Sequence, residues 1–321
     1  MYSINVLLVS YNQEKEIRRA IDSVLCQKQY GLNKIIICDD GSTDETLSII
    51  RDYELLYPDV IRVYTNQKNL GRAKMYNNIW KAVTNRGEAD LFCMLSGDDA
   101  FCDGWFKTIQ CFVSSKEINV KECAVTIFSN WKSINPNGDE KVNKGNHHVD
   151  NDKLDLTSLK LRALIFNRSL MISQKVYEKF SPLILDEGLC LAEEMYDIQI
   201  EKCTDYGYYC DYVGSIYYTG IGVSKELLGS VDYYTERVRA CERMKSLFNY
   251  RKKDVLYWDY LGSIYSILYN PTISNLLRII RNYAKSFDFK YNRLSFSHDV
   301  LMFLACVKRT IKKLFCHSSK P

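Results

Sequence analysis

The chain predicts an α/β fold: a mostly parallel, doubly wound sheet flanked by helices, followed by a helical C-terminal region. Three observations predict it. Apolar runs of strand length alternate with amphipathic helical patterns through roughly the first hundred residues, as repeated βα units require. Each apolar run empties into a polar cluster rather than following one, so the clusters fall along one edge of a parallel sheet. That carboxyl edge is where open α/β sheets bind ligands. From about Val231 the texture changes to long helical patterns rich in Tyr, with no further acidic strand ends.

The first strand, Ile4–Val9, stops at Ser10-Tyr11-Asn12. Helix Glu14–Gln27 follows, with Ile17, Ala20, Ile21, Val24 and Leu25 at helical spacing. Strand Lys34–Cys38 ends in Asp39-Asp40, and Ser42-Thr43-Asp44-Glu45 carries the caps and early acids of a helix near Asp44–Tyr57. Strand Ile61–Tyr64, the segment Gln67–Asn78, helix Ala73–Thr84 and strand Asp90–Leu95 complete three βα units. Helix Trp105–Phe112 and strand Ala124–Asn130 come next. The polar stretch Asn135–Asp152 reads as a hairpin turn plus loop, with His147 and His148 solvated rather than ligands.

Composition bounds the function. With 46% hydrophobic and 26% charged residues the chain is an ordinary globular one. A net charge of +4 is too mild to argue for a nucleic-acid partner. The 12 cysteines stand mostly singly in apolar runs with no C-x-x-C pair, so zinc is not expected. Reduced, buried thiols point to the cytoplasm. Met1 leads into the first strand without a basic n-region, so no secretory leader is expected. The longest apolar run, Val300–Val307, is far short of the ~20 residues a spanning helix needs.

The strongest chemical signal is Ser96-Gly97-Asp98-Asp99. Adjacent carboxylates repel and raise each other's pKa unless a cation lies beside them. A hard divalent cation accepts one or two carboxylates plus phosphate oxygens. The competing reading is an Asp pair capping a helix that opens at Asp103. The pair gains weight from the three other polar strand ends.

In order and spacing, V-S-Y-N, I-I-I-C-D-D-G-S-T-D, N-x-G and G-D-D resemble glycosyltransferase family 2, inverting sugar transferases of the GT-A fold. The likeness is strong over about the first hundred residues, weaker over Phe166–Lys225, and slight beyond. It implies a catalytic domain over 1–228 and a helical region with a basic tail over 229–321. It implies a nucleotide-sugar site of Val9, Tyr11, Asp39, Arg72 and Asp98: Tyr11 stacking on the base, Asp39 accepting the N3–H of uracil, Arg72 pairing with Asp39 or approaching the base, and Asp98 meeting the ribose. Asp99 would hold Mg2+ or Mn2+ against the diphosphate. Where related sequences often carry a third Asp, this chain has Ser96. Asp40 is read instead as ordering its loop, and Asn77 as matching the family's Asn, with a structural role open.

The general base of an inverting transfer is implied within Asp186–Glu194, on Glu194, with Asp197 in reserve. The competing reading is an acidic first turn of a helix Glu193–Tyr206. The segment from Tyr217 to Ser224 resembles the family's flexible closing segment; His or Arg common there is absent, leaving Lys225 as the nearest cation. Trp105-Phe106 is read as core packing rather than an acceptor pocket. Leu301–Lys320 carries no acid: Leu304, Val307, Ile311, Leu314 and Phe315 share one helical face, and Lys308, Arg309, Lys312 and Lys313 the other. It suits either a docked terminal helix or an anionic membrane interface.

The implied partners are a nucleotide-diphospho sugar and a saccharide or lipid-linked saccharide acceptor, in polysaccharide or glycolipid assembly on the cytoplasmic face of a membrane. Two alternatives stand beside this reading. A sugar-phosphate nucleotidyltransferase would need a Gly-rich basic loop after the first strand, where Ser10–Glu14 offers none. A catalytically silent relative that binds nucleotide or membrane would have no turnover to lose on substitution of Glu194. A dinucleotide oxidoreductase is excluded, since no G-x-G-x-x-G follows the first strand.

Overall fold

The structure, a computed structural model, describes residues 1–84, 89–144, 149–150, 153–154, 169–180, 203–221, 262–267 and 272–286, with isolated residues at 200, 235, 238, 239, 242, 270, 304, 307, 308 and 310. The chain divides into two compact units, Met1–Gly188 with Ala192–Lys225, and Leu189–Leu191 with Glu226–Pro321.

The first unit opens with three βα units. Strands β1 (Ile4–Ser10), β2 (Leu32–Asp39), β3 (Ile61–Thr65) and β4 (Leu91–Ser96) run parallel in the spatial order β3-β2-β1-β4. Helices α1 (Ile17–Leu25), α2 (Thr46–Leu56) and α3 (Arg72–Thr84) connect them. Each strand runs one residue further into its polar cluster than the apolar pattern predicts. The ladder is the reason: Ser10 pairs with Asp39, Asp39 with Thr65, and Val9 with Ser96. The first polar residue of each cluster is therefore held by strand geometry. Helix α1 starts later than expected, because Gln13–Glu16 forms a turn, with the Glu16 N–H on Gln13 O at 3.0 Å.

Past β4 the sheet changes character. It adds β5 (Ala100–Phe101), α4 (Trp105–Ser115), β6 (Val125–Ile134), β7 (Glu140–Asn143), β8 (Val149–Asp150), β9 (Lys153–Leu154), β10 (Leu170–Ser173), α5 (Gln174–Phe180) and β11 (Tyr206–Tyr218). The full order is β3-β2-β1-β4-β10-β6-β11-β9-β8. Strand β10 is antiparallel to both β4 and β6, while β11 runs parallel to β6. Beside these, β5 pairs with β11 and β7 with β6, both antiparallel. Strand β7 is the return arm of the hairpin expected after Asn135, so part of that polar stretch is strand.

Two expectations are corrected here. Tyr206 opens a 13-residue strand rather than closing a helix, and Tyr217-Tyr218 ends that strand rather than belonging to a loop. Tyr, Val and Ile favour a pleated, half-buried surface. Their alternation is broken by register shifts between Cys210 and Val213 and between Val213 and Ser215, which hid the period.

Every residue of β1 is buried, as befits a central parallel strand covered on both faces. Ile17, Ala20, Ile21 and Val24 form the buried stripe of α1, and Trp105, Phe106, Ile109 and Val113 that of α4. Phe101, Trp105 and Phe106 pack ring on ring, with centroids 4.6 to 5.9 Å apart. Trp105-Phe106 is thus core. Each such side chain contributes about 1.5–3 kcal/mol on burial.

In the second unit the described residues are helical at 262–267 and along Ile273–Ser286, tied by Asn282 Nδ2 donating to Ser263 Oγ at 2.8 Å. No helix among the described residues is long and apolar enough to cross a membrane. Of Leu301–Lys320, only Leu304, Val307, Lys308 and Thr310 are described; Leu304 is exposed and Thr310 buried.

Candidate functional site

The register of the four parallel strands brings Ser10, Asp39, Thr65 and Ser96 to one edge. Asp39 is fully buried. Its Oδ1 accepts the hydroxyls of Ser10 and Ser42, and its Oδ2 the Ser42 N–H at 2.9 Å and the Thr65 hydroxyl at 3.4 Å. A buried carboxyl group satisfied this way is surrounded by neutral donors, three of them hydroxyls that can turn toward an incoming group.

Asp40 faces a different task. It accepts Asn66 Nδ2 at 2.7 Å and the N–H groups of Leu70 and Gly71, each at 3.0 Å. Those bonds fix the Asn66–Gly71 loop and so place Arg72 at the head of α3. The chain passes so close here that only glycine serves at position 41: its φ is +70°, and a Cβ would meet the Lys68 backbone. Asn77 is buried within α3.

A second lacing holds Tyr11. Asn12 adopts the left-handed region at φ 50°, which Asn tolerates better than most residues. Its Oδ1 accepts the Thr43 N–H at 2.8 Å, and its own N–H donates to Ser42 Oγ at 3.0 Å. The Gln13 N–H reaches Thr46 Oγ1 at 2.7 Å. Asp44 accepts from Glu14 N–H and Thr46 N–H. Burial pushes the Asp44 carboxyl up, but these bonds outweigh it and hold it below its ordinary value. Half-buried Tyr11 thus sits on a loop stitched to the one after Asp39. The pattern V-S-Y-N marked this loop without revealing that Asn12 holds it.

At the end of β4, the Gly97 N–H donates to Val9 O at 2.8 Å and the Asp99 N–H to Ser96 O at 3.0 Å, closing a tight turn. Gly97 packs against Gln13, Ile17 and Ser10, where any Cβ would collide. Asp98 is half-buried and Asp99 buried, so they face different surroundings. Asp99 Oδ1 accepts the Tyr218 N–H at the end of β11 at 3.2 Å. Arg19 of α1 donates through Nη2 to the Asp98 carbonyl at 2.7 Å, and its guanidinium stands 3.6 Å from the Tyr218 ring centre. Sequence gave no sign of Arg19 and placed Tyr218 only within a closing segment; the contacts of both join distant elements.

Burial pushes the neighbouring Cys38 thiol up to about 12, with the charges of Asp40 and Asp39 adding to it, so it stays a neutral packing group. Among the described residues no three His, Cys, Asp or Glu converge as a metal cage. The donor set fits a cation that takes one or two carboxylates from Asp98-Asp99 and its remaining ligands from a diphosphate and water. Glu194, Asp197, Lys225, His147 and His148 lie outside the described residues.

A parallel β3-β2-β1-β4 sheet, continued by an antiparallel β10 and with paired carboxylates at the β4 turn, is the GT-A fold. The family model "Glycosyl transferase family 2" matches residues 5–159, from β1 through β9, just under half of the chain. An uncharacterized protein of Mycobacterium tuberculosis, Rv1520, is 36% identical over 100 residues, which is 31% of this chain and 28% of that one. The match to this curated relative thus spans under a third of its length. The S. aureus TarS 1-349 structure in complex with UDP-GlcNAc aligns with TM-score 0.62 at 14% identity, covering 97% of this chain and 88% of TarS. The mannosyltransferase PcManGT of Pyrobaculum calidifontis, in complex with GDP-Man and Mn2+, aligns with TM-score 0.56 at 11% identity, covering 98% and 87%.

Proposed function

We propose that this protein is an inverting glycosyltransferase that moves a hexosyl or N-acetylhexosaminyl group from a UDP-linked sugar to an acceptor hydroxyl. The observation that carries the reading is the alignment of buried Asp39 and the Asp98-Asp99 turn at the ends of β2 and β4, the two strands that flank β1. Together they suit a base, a ribose and a diphosphate laid along one edge.

In this reading Tyr11 stacks on the uracil, and Asp39 accepts its N3–H, a donor cytosine lacks. Arg72 approaches the base from the head of α3, Val9 lines the floor, and Asp98 takes the ribose hydroxyls. Asp99 would hold Mg2+ or Mn2+, which when bound would supply Lewis-acid neutralisation of the diphosphate leaving group. TarS in complex with UDP-GlcNAc supports the uridine donor, and PcManGT with Mn2+ the cation. Glu194, with Asp197 in reserve, takes the acceptor proton; this assignment rests on sequence resemblance alone. Residues 1–228 form the catalytic domain and 229–321 a helical region. The basic segment Leu301–Lys320 rests on an anionic membrane surface, where a saccharide or lipid-linked saccharide acceptor for polysaccharide or glycolipid assembly would be met on the cytoplasmic face.

Calorimetric titration of the full chain with UDP, with and without Mn2+, tests the reading. Metal-dependent binding is expected. Binding of GDP or dTDP in place of UDP would overturn the base assignment of Asp39. Failure of every nucleoside diphosphate, even with metal, would overturn the transferase.

A further inference from the structure

We propose that Arg19 is a positioning residue for the Asp98-Asp99 turn, acting as a clamp between that turn and the end of β11. The inference rests on the functional reading above, and adds a residue that the family motifs do not mark.

Three contacts meet at this point. Arg19 Nη2 donates to the carbonyl of Asp98 at 2.7 Å. The same guanidinium lies over the Tyr218 ring, 3.6 Å from its centre. The backbone N–H of Tyr218 donates to Asp99 Oδ1 at 3.2 Å. Residue 19 thus grips both neighbours of the Asp99 carboxylate, the peptide that precedes it and the residue that bonds it. A planar guanidinium can stack and donate at once, which an ammonium cannot do equally well. Its Nε is buried and finds no partner among the described residues. Leaving a buried donor unpaired is unfavourable, so the side chain is held by the stack and the Asp98 bond against that penalty.

Position supplies the second argument. Arg19 is in the first turns of α1, directly behind the carboxyl edge, and β5 extends from the Asp98-Asp99 turn to pair with β11 at Ser215 and Ile216. Two joints, β5–β11 and Tyr218–Asp99, therefore connect the turn to β11. The clamp closes the side of the turn that β5 leaves open. Without it the peptide between Asp98 and Asp99 keeps the bond from the Asp99 N–H to Ser96 O but loses its second hold, and Asp99 is directed less firmly toward a cation and diphosphate. Bonds to the base, which the reading gives to Tyr11 and Asp39, do not pass through it.

The test compares Arg19→Met, Arg19→Lys, Tyr218→Leu and Tyr218→Phe with the unaltered chain. In UDP titrations over a range of Mn2+, Arg19→Met is expected to raise the half-saturating Mn2+ concentration about tenfold, the scale of one lost charge-assisted bond. Tyr218→Leu should act similarly, Arg19→Lys should recover part of the loss, and Tyr218→Phe, which keeps ring and N–H, should match the unaltered chain. Uracil alone, followed by NMR, should bind all five proteins equally. Amide hydrogen exchange without ligand should quicken at residues 97–100 and 216–219 in Arg19→Met and stay unchanged in β2. Unaltered exchange in a folded Arg19→Met overturns the clamp, as does an unaltered Mn2+ requirement. A parent chain that binds no UDP fails the functional reading instead, and the exchange measurement still decides the clamp.

Discussion

At the amino edge of the parallel strands, Asp90 accepts the N–H and hydroxyl of Ser3 at 2.8 and 3.0 Å and returns its own N–H to Ser3 Oγ at 3.0 Å. Lys121 Nζ stands 3.6 Å from its carboxylate. Beside it, Gln110 accepts the Tyr2 N–H at 2.9 Å and donates to Tyr2 O at 2.6 Å. At the carboxyl edge the same stitching recurs through Asp39, Asp40 and Asp44, but Asp39 and Asp40 are buried almost completely and take neutral donors. One edge places a cation beside its carboxylate; the other gathers several carboxylates deeper in the protein, with Arg19 bonded to a carbonyl. Buried charge of one sign is unfavourable unless an opposite charge arrives. Depth of burial and the neutral donors around Asp39 and Asp40 distinguish this edge from the one that carries Lys121.

Substitutions can break this comparison, and the largest effect is expected at Asp99. Asp99→Asn keeps an acceptor for the Tyr218 N–H while removing the charge. It is expected to lower Mn2+-dependent UDP binding roughly a hundredfold with little change in urea stability. If binding survives, the buried Asp99 carboxylate serves something other than a cation.

Asp40→Ala follows, with stability as its readout. Asn66 Nδ2 and the Leu70 N–H lose the Asp40 acceptor, and the Gly71 N–H keeps Asn69 Oδ1 alone. Urea unfolding should show a loss of about 2–4 kcal/mol. UDP binding should also weaken, because the loop before Arg72 is no longer held. The matching change at the other edge is Asp90→Ala, expected to lower stability by about 1–2 kcal/mol and leave nucleotide binding unchanged. A nucleotide effect from Asp90→Ala would erase the distinction between the edges.

Much of this edge was legible before any coordinates. The four parallel strands have uniform apolar runs, and burial on both faces leaves little ambiguity about where each run stops. Asp39, Asp98 and Asp99 could therefore be placed at strand ends by counting, and Asp40 read as a loop organiser from the Gly41-Ser42-Thr43 that follows it. What could not be read depends on long-range packing. Arg19 is one basic residue in a helix that also carries Arg18, and nothing local says which of the two will reach β4. Tyr218 looked like part of a loop because the register shifts in β11 break its alternation, and only pairing with β6 reveals the strand. Asn12 resembles any turn Asn until the Thr43 N–H is seen to meet it.

The smallest effect sharpens the comparison through pH. Asp44, in the lacing behind Tyr11, is held below its ordinary 3.8 because its bonds from Thr46 and Glu14 outweigh burial. Asp205 is held down by Lys179, and Asp211 chiefly by the Asn130 amide. For each, the unfolded chain binds a proton more readily than the folded one. Their stabilisation is complete well above 3.8 and is lost as pH falls through the lower folded values, so stability rises with pH across that window. Asp44→Asn keeps an acceptor oxygen but cannot titrate. It should flatten the acid limb of a urea stability profile below about pH 4 while leaving the slope above pH 5 unchanged. Lys179→Met should do the same by releasing Asp205. The two changes lie far apart in the sequence and their carboxylates have different partners, so their effects on the acid slope should add, as independent sites do. A failure to add would mean that the lacing at the carboxyl edge and the Lys179–Asp205 pair respond to acid as one unit.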